Sequence, residues 1–216
     1  MINVIYEDNH LLVVEKPINV PVQADSSKDL DLLTHLKNYF KERYNKPGNV
    51  YLGLIHRLDR PVGGVMVFAK TSKCASRLSE QVRNRTLKKT YYAVVEGRID
   101  CSGTFKDKLL KNSDTNTVSV SNKGKEAILD YKLLGYKDNL SMVKINLKTG
   151  RSHQIRVQFS YHGYPLYRDQ RYNKNALKGE QIALFAKKLE FDHPITKERL
   201  KFELELPDRY PWKIFS

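Results

Sequence analysis

The 216-residue chain is poor in the features that mark several protein classes at once. It has only two cysteines, Cys74 and Cys101, far apart and outside any Cys-x-x-Cys pattern. A small disulfide-held secreted scaffold would carry more, at framework spacings. No run approaches the roughly 20 apolar residues that a membrane-spanning helix needs. The six histidines, His10, His35, His56, His153, His162 and His193, form no His-x-x-x-His pair and have no flanking cysteine. That pattern gives no support for a metal site. No internal repeat and no low-complexity linker is present. The chain enters a strand-like run at Ile2–Tyr6 with no basic-then-apolar signal segment, so the expectation is a cytoplasmic protein without a membrane partner.

Carboxylates are also scarce relative to cations, with 24 Asp and Glu against 38 Lys and Arg, a net charge of +14. Such an excess attracts polyanions, because each phosphate neutralised releases condensed counterions. Nucleic acid is the expected partner. A basic surface that only confers solubility is the plainer alternative, and a membrane surface is disfavoured because no long helix shows one basic and one apolar face. Hydrophobic residues make up 40% of the chain, enough for a packed core rather than a disordered tail.

Periodicity gives a coarse map. Ile2–Tyr6 and Leu11–Glu15 read as strands joined by a turn at Asp8-Asn9. Leu30, Leu33, Leu36 or Lys37, Phe40 and Tyr44 recur at helical spacing up to a stop at Pro47-Gly48. Short strands follow at Tyr51–Ile55 and Val65–Ala69, and Ser72 is placed to cap a helix carrying Ala75, Leu78 and Val82. Leu87–Val95 is strand-like up to Gly97. The polar stretch Cys101–Lys125 predicts weak hairpin-edge strands, and Ala127–Leu134 and Met142–Leu147 predict stronger ones. Ser152–Tyr161 reads as a helix capped by Ser152 and ended by Gly163. Strands close the chain at Ile182–Ala186 and Leu200–Leu206. The order is too irregular for repeated βαβ units, and it predicts one α+β domain over residues 1–216, built on a mixed, mostly antiparallel sheet with flanking helices.

Three polar clusters interrupt this apolar pattern. His56-Arg57-Leu58-Asp59-Arg60-Pro61-Val62-Gly63-Gly64 lies between two strands, where a scaffold presents functional groups, and its glycines admit another backbone. The same stretch also reads as a structural turn with a surface Asp–Arg pair. Gly150-Arg151-Ser152-His153-Gln154-Ile155-Arg156 opens a helix whose N–H groups suit phosphate, with Arg156 placed to point partly inward, where it demands a carboxylate partner. An ordinary helix end with solvated arginines fits the same residues. In Leu87-Lys88-Lys89-Thr90-Tyr91-Tyr92-Ala93, the two tyrosines face opposite sides of a strand, so one can reach a site while the other covers the core or an edge; packing alone is the commoner reason for such a pair.

In this order, the clusters resemble the RluA-type family of RNA pseudouridine synthases. His56-Arg57-Leu58-Asp59-Arg60 with Gly64 is similar to that family's H-R-L-D-R-x-T-S-G-L motif. Lys89-x-Tyr91-x-Ala93 with Gly97 is similar to its K-x-Y-x-A-x-V-x-G strand, and Gly150 to Val157 to its G-R-[ST]-H-Q-[IL]-R-V helix. Ile5-Tyr6-Glu7-Asp8 with Val13-Val14-Glu15-Lys16-Pro17 resembles its opening strands, and His193-Pro194 with Phe202 and Leu206-Pro207 its closing ones. The resemblance covers essentially the whole chain. Departures are Val62-Gly63 in place of T-S, Gln158 in place of a common His, Phe185 in place of a frequent His, and Arg168-Asp169 in place of G-D. The expectation is a catalytic domain without the small N-terminal RNA-binding domain that many relatives carry.

The resemblance implies an enzyme that isomerises specific uridines to pseudouridine in structured ribosomal or transfer RNA, acting as a monomer without cofactor or metal. It implies Asp59 as the essential carboxylate, Arg156 as its ion-pair partner, Tyr91 stacked on the uracil and Arg57 entering the space the flipped base leaves. Arg60, Arg151 and His153 become candidate RNA-backbone contacts. A non-catalytic RNA-binding relative is the rival reading, with Val62-Gly63 as its motive. A glycoside hydrolase normally needs two carboxylates flanking the bond, and only Asp59 stands out.

Overall fold

Leu11–Val14 and Val65–Ala69 are apolar at every position, the pattern of strands covered on both faces. In the computed structural model, which describes residues 2–25, 28–45 and 48–215, each of these nine residues is at most 1% exposed. The strands are β1 (Asn3–Glu7), β2 (Leu11–Lys16), β3 (Gly53–Leu54), β4 (Gly63–Ala69), β5 (Lys88–Glu96), β6 (Ser102–Asn112), β7 (Thr117–Val120), β8 (Lys125–Lys137), β9 (Leu140–Leu147), β10 (Leu184–Asp192) and β11 (Arg199–Glu203). The helices are α1 (Leu32–Arg43), α2 (Ser72–Arg83) and α3 (Gln154–Tyr161), with a short 3-10 turn at Trp212–Phe215. The architecture is α+β, as expected.

The chain forms two compact units. The first comprises Met1–Lys88 and Ala186–Leu204, the second Lys89–Phe185 and Glu205–Ser216. In the first unit β1 pairs with β2, β2 with β4, β3 with β4 and β10 with β11, all antiparallel, and β10 is the further neighbour of β4. Cys74 and Leu78 of α2 pack with Leu11, Val13, Val65, Val67, Leu189 and Phe191. In the second unit β5, β9, β8, β6 and β7 pair antiparallel in that order. The β8–β9 hairpin turns through Asp138 and Asn139, both at positive φ (53° and 56°), which fits the right-handed twist of the strands it joins.

Four local readings are corrected by the structure. The buried face of α1 is Leu32, Leu36 and Phe40; Leu30 and Tyr44 are 50% and 44% exposed. Asp31 sets this register by capping the helix through the Thr34 amide, and Pro47, taken as part of the stop signal, lies outside the described residues. Thr71 rather than Ser72 caps α2, accepting from the Cys74 amide. The third helix begins at Gln154 behind a left-handed His153 (φ 50°), so Ser152 is not its cap. No side chain caps this helix; the Gln154 side chain instead ties down the segment before it, accepting from the Arg151 amide at 3.0 Å and from the Thr149 hydroxyl at 2.8 Å. The polar stretch after Cys101 forms an 11-residue strand, β6, and only β7 lies at the edge.

Candidate active site

The Asp59 loop leaves β3 and returns into β4. Its side chains alternate: His56 and Leu58 are buried, Arg57 and Arg60 exposed, and Asp59 half-buried. His56 Nε2 accepts the Val67 amide at 3.3 Å, and the Asp59 carbonyl accepts the Val62 amide at 2.9 Å, closing a tight turn. Gly64, at φ 128°, follows the turn; a Cβ there would lie 2.3 Å from the Ala186 carbonyl oxygen. No other residue fits that approach, so the expected contact of a loop glycine with another backbone is present.

Lys16 lies beneath this loop, at the end of β2 and opposite Gly64. It is 1% exposed. Its ammonium donates to the carbonyls of Pro17 (2.9 Å), Arg60 (3.0 Å) and Val62 (2.8 Å). Two of these acceptors follow Asp59 in the loop, at residues 60 and 62, so Lys16 fastens the backbone that carries the carboxylate. Nothing in the sequence pattern marks Lys16 for this role. Burial pulls its ammonium down to about 7; the Asp59 charge opposes that shift and Arg60 adds to it. Three carbonyl acceptors match three N–H donors, so the geometry is that of the protonated form.

A pH dependence follows. Between about 7 and the ordinary 10.5 the unfolded chain holds the Lys16 proton and the folded chain has released it. The contribution of Lys16 to stability therefore rises with pH across that window. Urea denaturation of wild type and Lys16→Met should show a stability difference that shifts in favour of wild type between these limits. A difference that is flat with pH would mean that the buried ammonium is no harder to keep charged than one in water.

In the second unit Tyr91 is 6% exposed on β5, while Tyr92, on the opposite face, is half-buried. The third helix is buried over Gln154–Phe159, and its polar side chains are bonded. Gln154 donates to the Ile128 carbonyl at 3.1 Å. Gln158, which stands where the family commonly has His, donates to Asp107 (2.7 Å) and to the Ala127 carbonyl (3.2 Å). Arg156 is the inward-pointing arginine and has the carboxylate it demands. Its Nε and Nη2 donate to the two oxygens of Asp169 at 2.8 and 2.6 Å, in a pair whose side chains are 7% and 1% exposed. In the sequence Asp169 stands out only as half of a departure, Arg168-Asp169 for G-D.

Asp169 also receives the Arg171 amide at 3.0 Å, which fixes the turn that presents Tyr172. The Arg156 guanidinium lies over the Tyr172 ring, 5.2 Å from its centre. The Tyr172 hydroxyl accepts the Val118 amide (3.0 Å) and meets His153 Nδ1 at 2.7 Å. Burial pushes the hydroxyl up, so it stays protonated. Tyr172 thus joins two residues that the sequence singled out, and nothing in the sequence marked it.

The other candidate contacts already have protein partners. Arg60 pairs with Asp29, both exposed, and Arg151 Nε donates to the Glu126 carbonyl at 2.9 Å. Among the described residues no group of three or more His, Cys, Asp or Glu is arranged to hold a metal ion. No described helix is long and apolar enough to cross a membrane.

These residues lie on a chain whose positions 10–161 match the sequence family described as RNA pseudouridylate synthase. The chain belongs to that family. Membership makes it an RNA-modifying isomerase. Among curated relatives, it is 33% identical to ribosomal large subunit pseudouridine synthase D of Pseudomonas aeruginosa, over 98% of this chain and 70% of that protein. It is 32% identical to synthase C of Buchnera aphidicola subsp. Baizongia pistaciae, over 91% of this chain and 64% of that one. The chain therefore spans about two thirds of the length of these relatives. A solved human structure, RNA pseudouridylate synthase domain containing 4, superposes with a TM-score of 0.80 over 95% of this chain and 89% of the other, at 22% identity. That likeness concerns the fold, and it agrees with the α+β architecture expected of the family.

Proposed function

We propose that the chain is a single catalytic domain that converts specific uridines of structured RNA, ribosomal or transfer, to pseudouridine, with Asp59 as the essential carboxylate. The supporting observation is that Asp59 is half-exposed at the tip of a loop whose backbone is bonded from below by a buried lysine. A carboxylate meant only for a surface ion pair needs no such foundation.

The reaction breaks the bond between the sugar's anomeric carbon and the uracil nitrogen, turns the base and joins the sugar to ring carbon five. The proton lost from that carbon is balanced by one gained at the freed nitrogen, so nothing is oxidised and no group is imported. Asp59 acts on the ribose, by attack on the anomeric carbon or by removal of a sugar proton, in a pocket that keeps water from the glycosyl intermediate. Extruding the uridine costs a few kcal/mol. Arg57, exposed beside the carboxylate, fills the vacated stack, and Tyr91 stacks on the uracil. Arg156, oriented by Asp169, pairs with Asp59 and holds it ionised. Arg60, Arg151 and His153 lie along the RNA backbone. The charge of +14 supplies long-range attraction.

Pseudouridine mapping of total cellular RNA, with and without the gene, tests this reading and names the target. One or a few signals should vanish on deletion, then return with wild type and stay absent with Asp59→Asn. An unchanged map with the protein well expressed favours the non-catalytic RNA-binding relative.

A further inference from the structure

Lys89 is a largely buried cation for which the proposed chemistry has no use. It precedes Tyr91 by two residues on β5, so the two side chains leave the same face of the strand. Its neighbour there is Gly150, the first residue of the motif that leads into the third helix: a Cβ at Gly150 would sit 3.3 Å from Lys89 Nζ. Burial holds the ammonium below the usual lysine range, with no carboxylate opposing the shift. Among the described residues no hydrogen bond, ion pair or aromatic ring engages it. The contrast with Lys16 is sharp, since that buried ammonium has three carbonyl acceptors within 3.0 Å.

An ammonium drawn largely out of water without a partner is costly to keep charged. A fold keeps such a group where an arriving ligand completes it. The ligand has to be an anion or a strong acceptor, it has to come to the Tyr91 face of β5, and it has to pass the bare backbone of Gly150. A protein with fourteen surplus positive charges selects for phosphate. We propose that Lys89 is a substrate-contacting residue whose ammonium takes a backbone phosphate of the RNA beside the target uridine. This inference rests on the proposed function and extends its binding site.

Lys89→Met keeps the length of the side chain and removes the charge. Binding of an unmodified in vitro transcript of large-subunit ribosomal RNA is measured between about 50 and 200 mM salt, alongside urea denaturation and turnover of the same transcript. The expected result has three parts. Affinity falls about tenfold and the slope of log affinity against log salt becomes shallower by about one contact. Stability is unchanged or higher, because an uncompensated buried charge is gone. Lys89→Arg recovers most of the binding. A purely structural lysine would instead lower stability and leave the slope intact, which overturns the assignment. A fall in turnover with affinity and slope unchanged also overturns it, pointing to a proton-transfer role. If wild type binds but isomerises nothing, the functional reading fails for this RNA while the slope still decides the fate of Lys89. If wild type does not bind at all, both fall.

Discussion

Asp59→Asn is expected to lower uridine isomerisation by at least about a thousandfold, with RNA affinity changed no more than a few-fold. The amide has the shape of the carboxylate but neither its charge nor its nucleophilicity, so the step at the ribose loses its agent. The loop should keep its form, because its fixed points are backbone carbonyls on Lys16, the Val62 amide on the Asp59 carbonyl, and the Gly64 approach to Ala186. None involves the Asp59 side chain. Single-turnover assays on saturating transcript separate chemistry from binding. Turnover within tenfold of wild type would remove Asp59 from the mechanism, whatever the RNA affinity.

Asp169→Ala carries the second large effect. It takes the bidentate carboxylate from the Arg156 guanidinium in a site where both partners are nearly inaccessible to water, and breaking such a pair costs about 3–5 kcal/mol. It also frees the turn that presents Tyr172, whose ring underlies the same guanidinium. Misplacing a positioning group by about 1 Å costs on the order of a hundredfold in rate. Denaturation should therefore show a variant several kcal/mol less stable, and assays below its melting transition should show a residual rate lower by about that hundredfold. A variant as stable as wild type would mean that the other contacts of Arg156 suffice to hold it and that Asp169 is not what orients it.

The sequence was legible where chemistry follows periodicity or an ordered motif. The apolar runs of β2 and β4 declare strands covered on both sides, and the H-R-L-D-R, K-x-Y and G-R-S-H-Q-I-R segments lead to the family without a structure. What stayed hidden depends on backbone atoms or on contacts distant in sequence. The acceptors of Lys16 are carbonyls, which every residue has, so nothing in the letters announces that a buried lysine fastens residues 60 and 62. Asp169 is thirteen residues from Arg156 and looked like a motif gone astray until the bidentate pair was seen. The register of α1 was readable in principle, since Asp31 three residues before Thr34 is a capping signal. The apolar letters Leu30, Leu33 and Tyr44 outweighed it. Ser152 has the letter of a cap, and only the left-handed backbone at His153 puts the helix start beyond it.

The discontinuity of the first unit has a consequence for biosynthesis. When the ribosome has released the first 88 residues, β4 has β2 on one edge, but the other edge has only β3, bonded at Phe68 and Ala69. Its remaining neighbour, β10, is translated nearly a hundred codons later, after almost all of the second unit. The nascent chain must therefore carry an unpatched, wholly apolar strand edge through most of its synthesis, the kind of surface that chaperones recognise. The backbone on which Gly64 seats, Ala186, also arrives in that late segment. A message truncated anywhere between codons 89 and 185 would yield a chain that holds Asp59 but not the strand against which its loop is set.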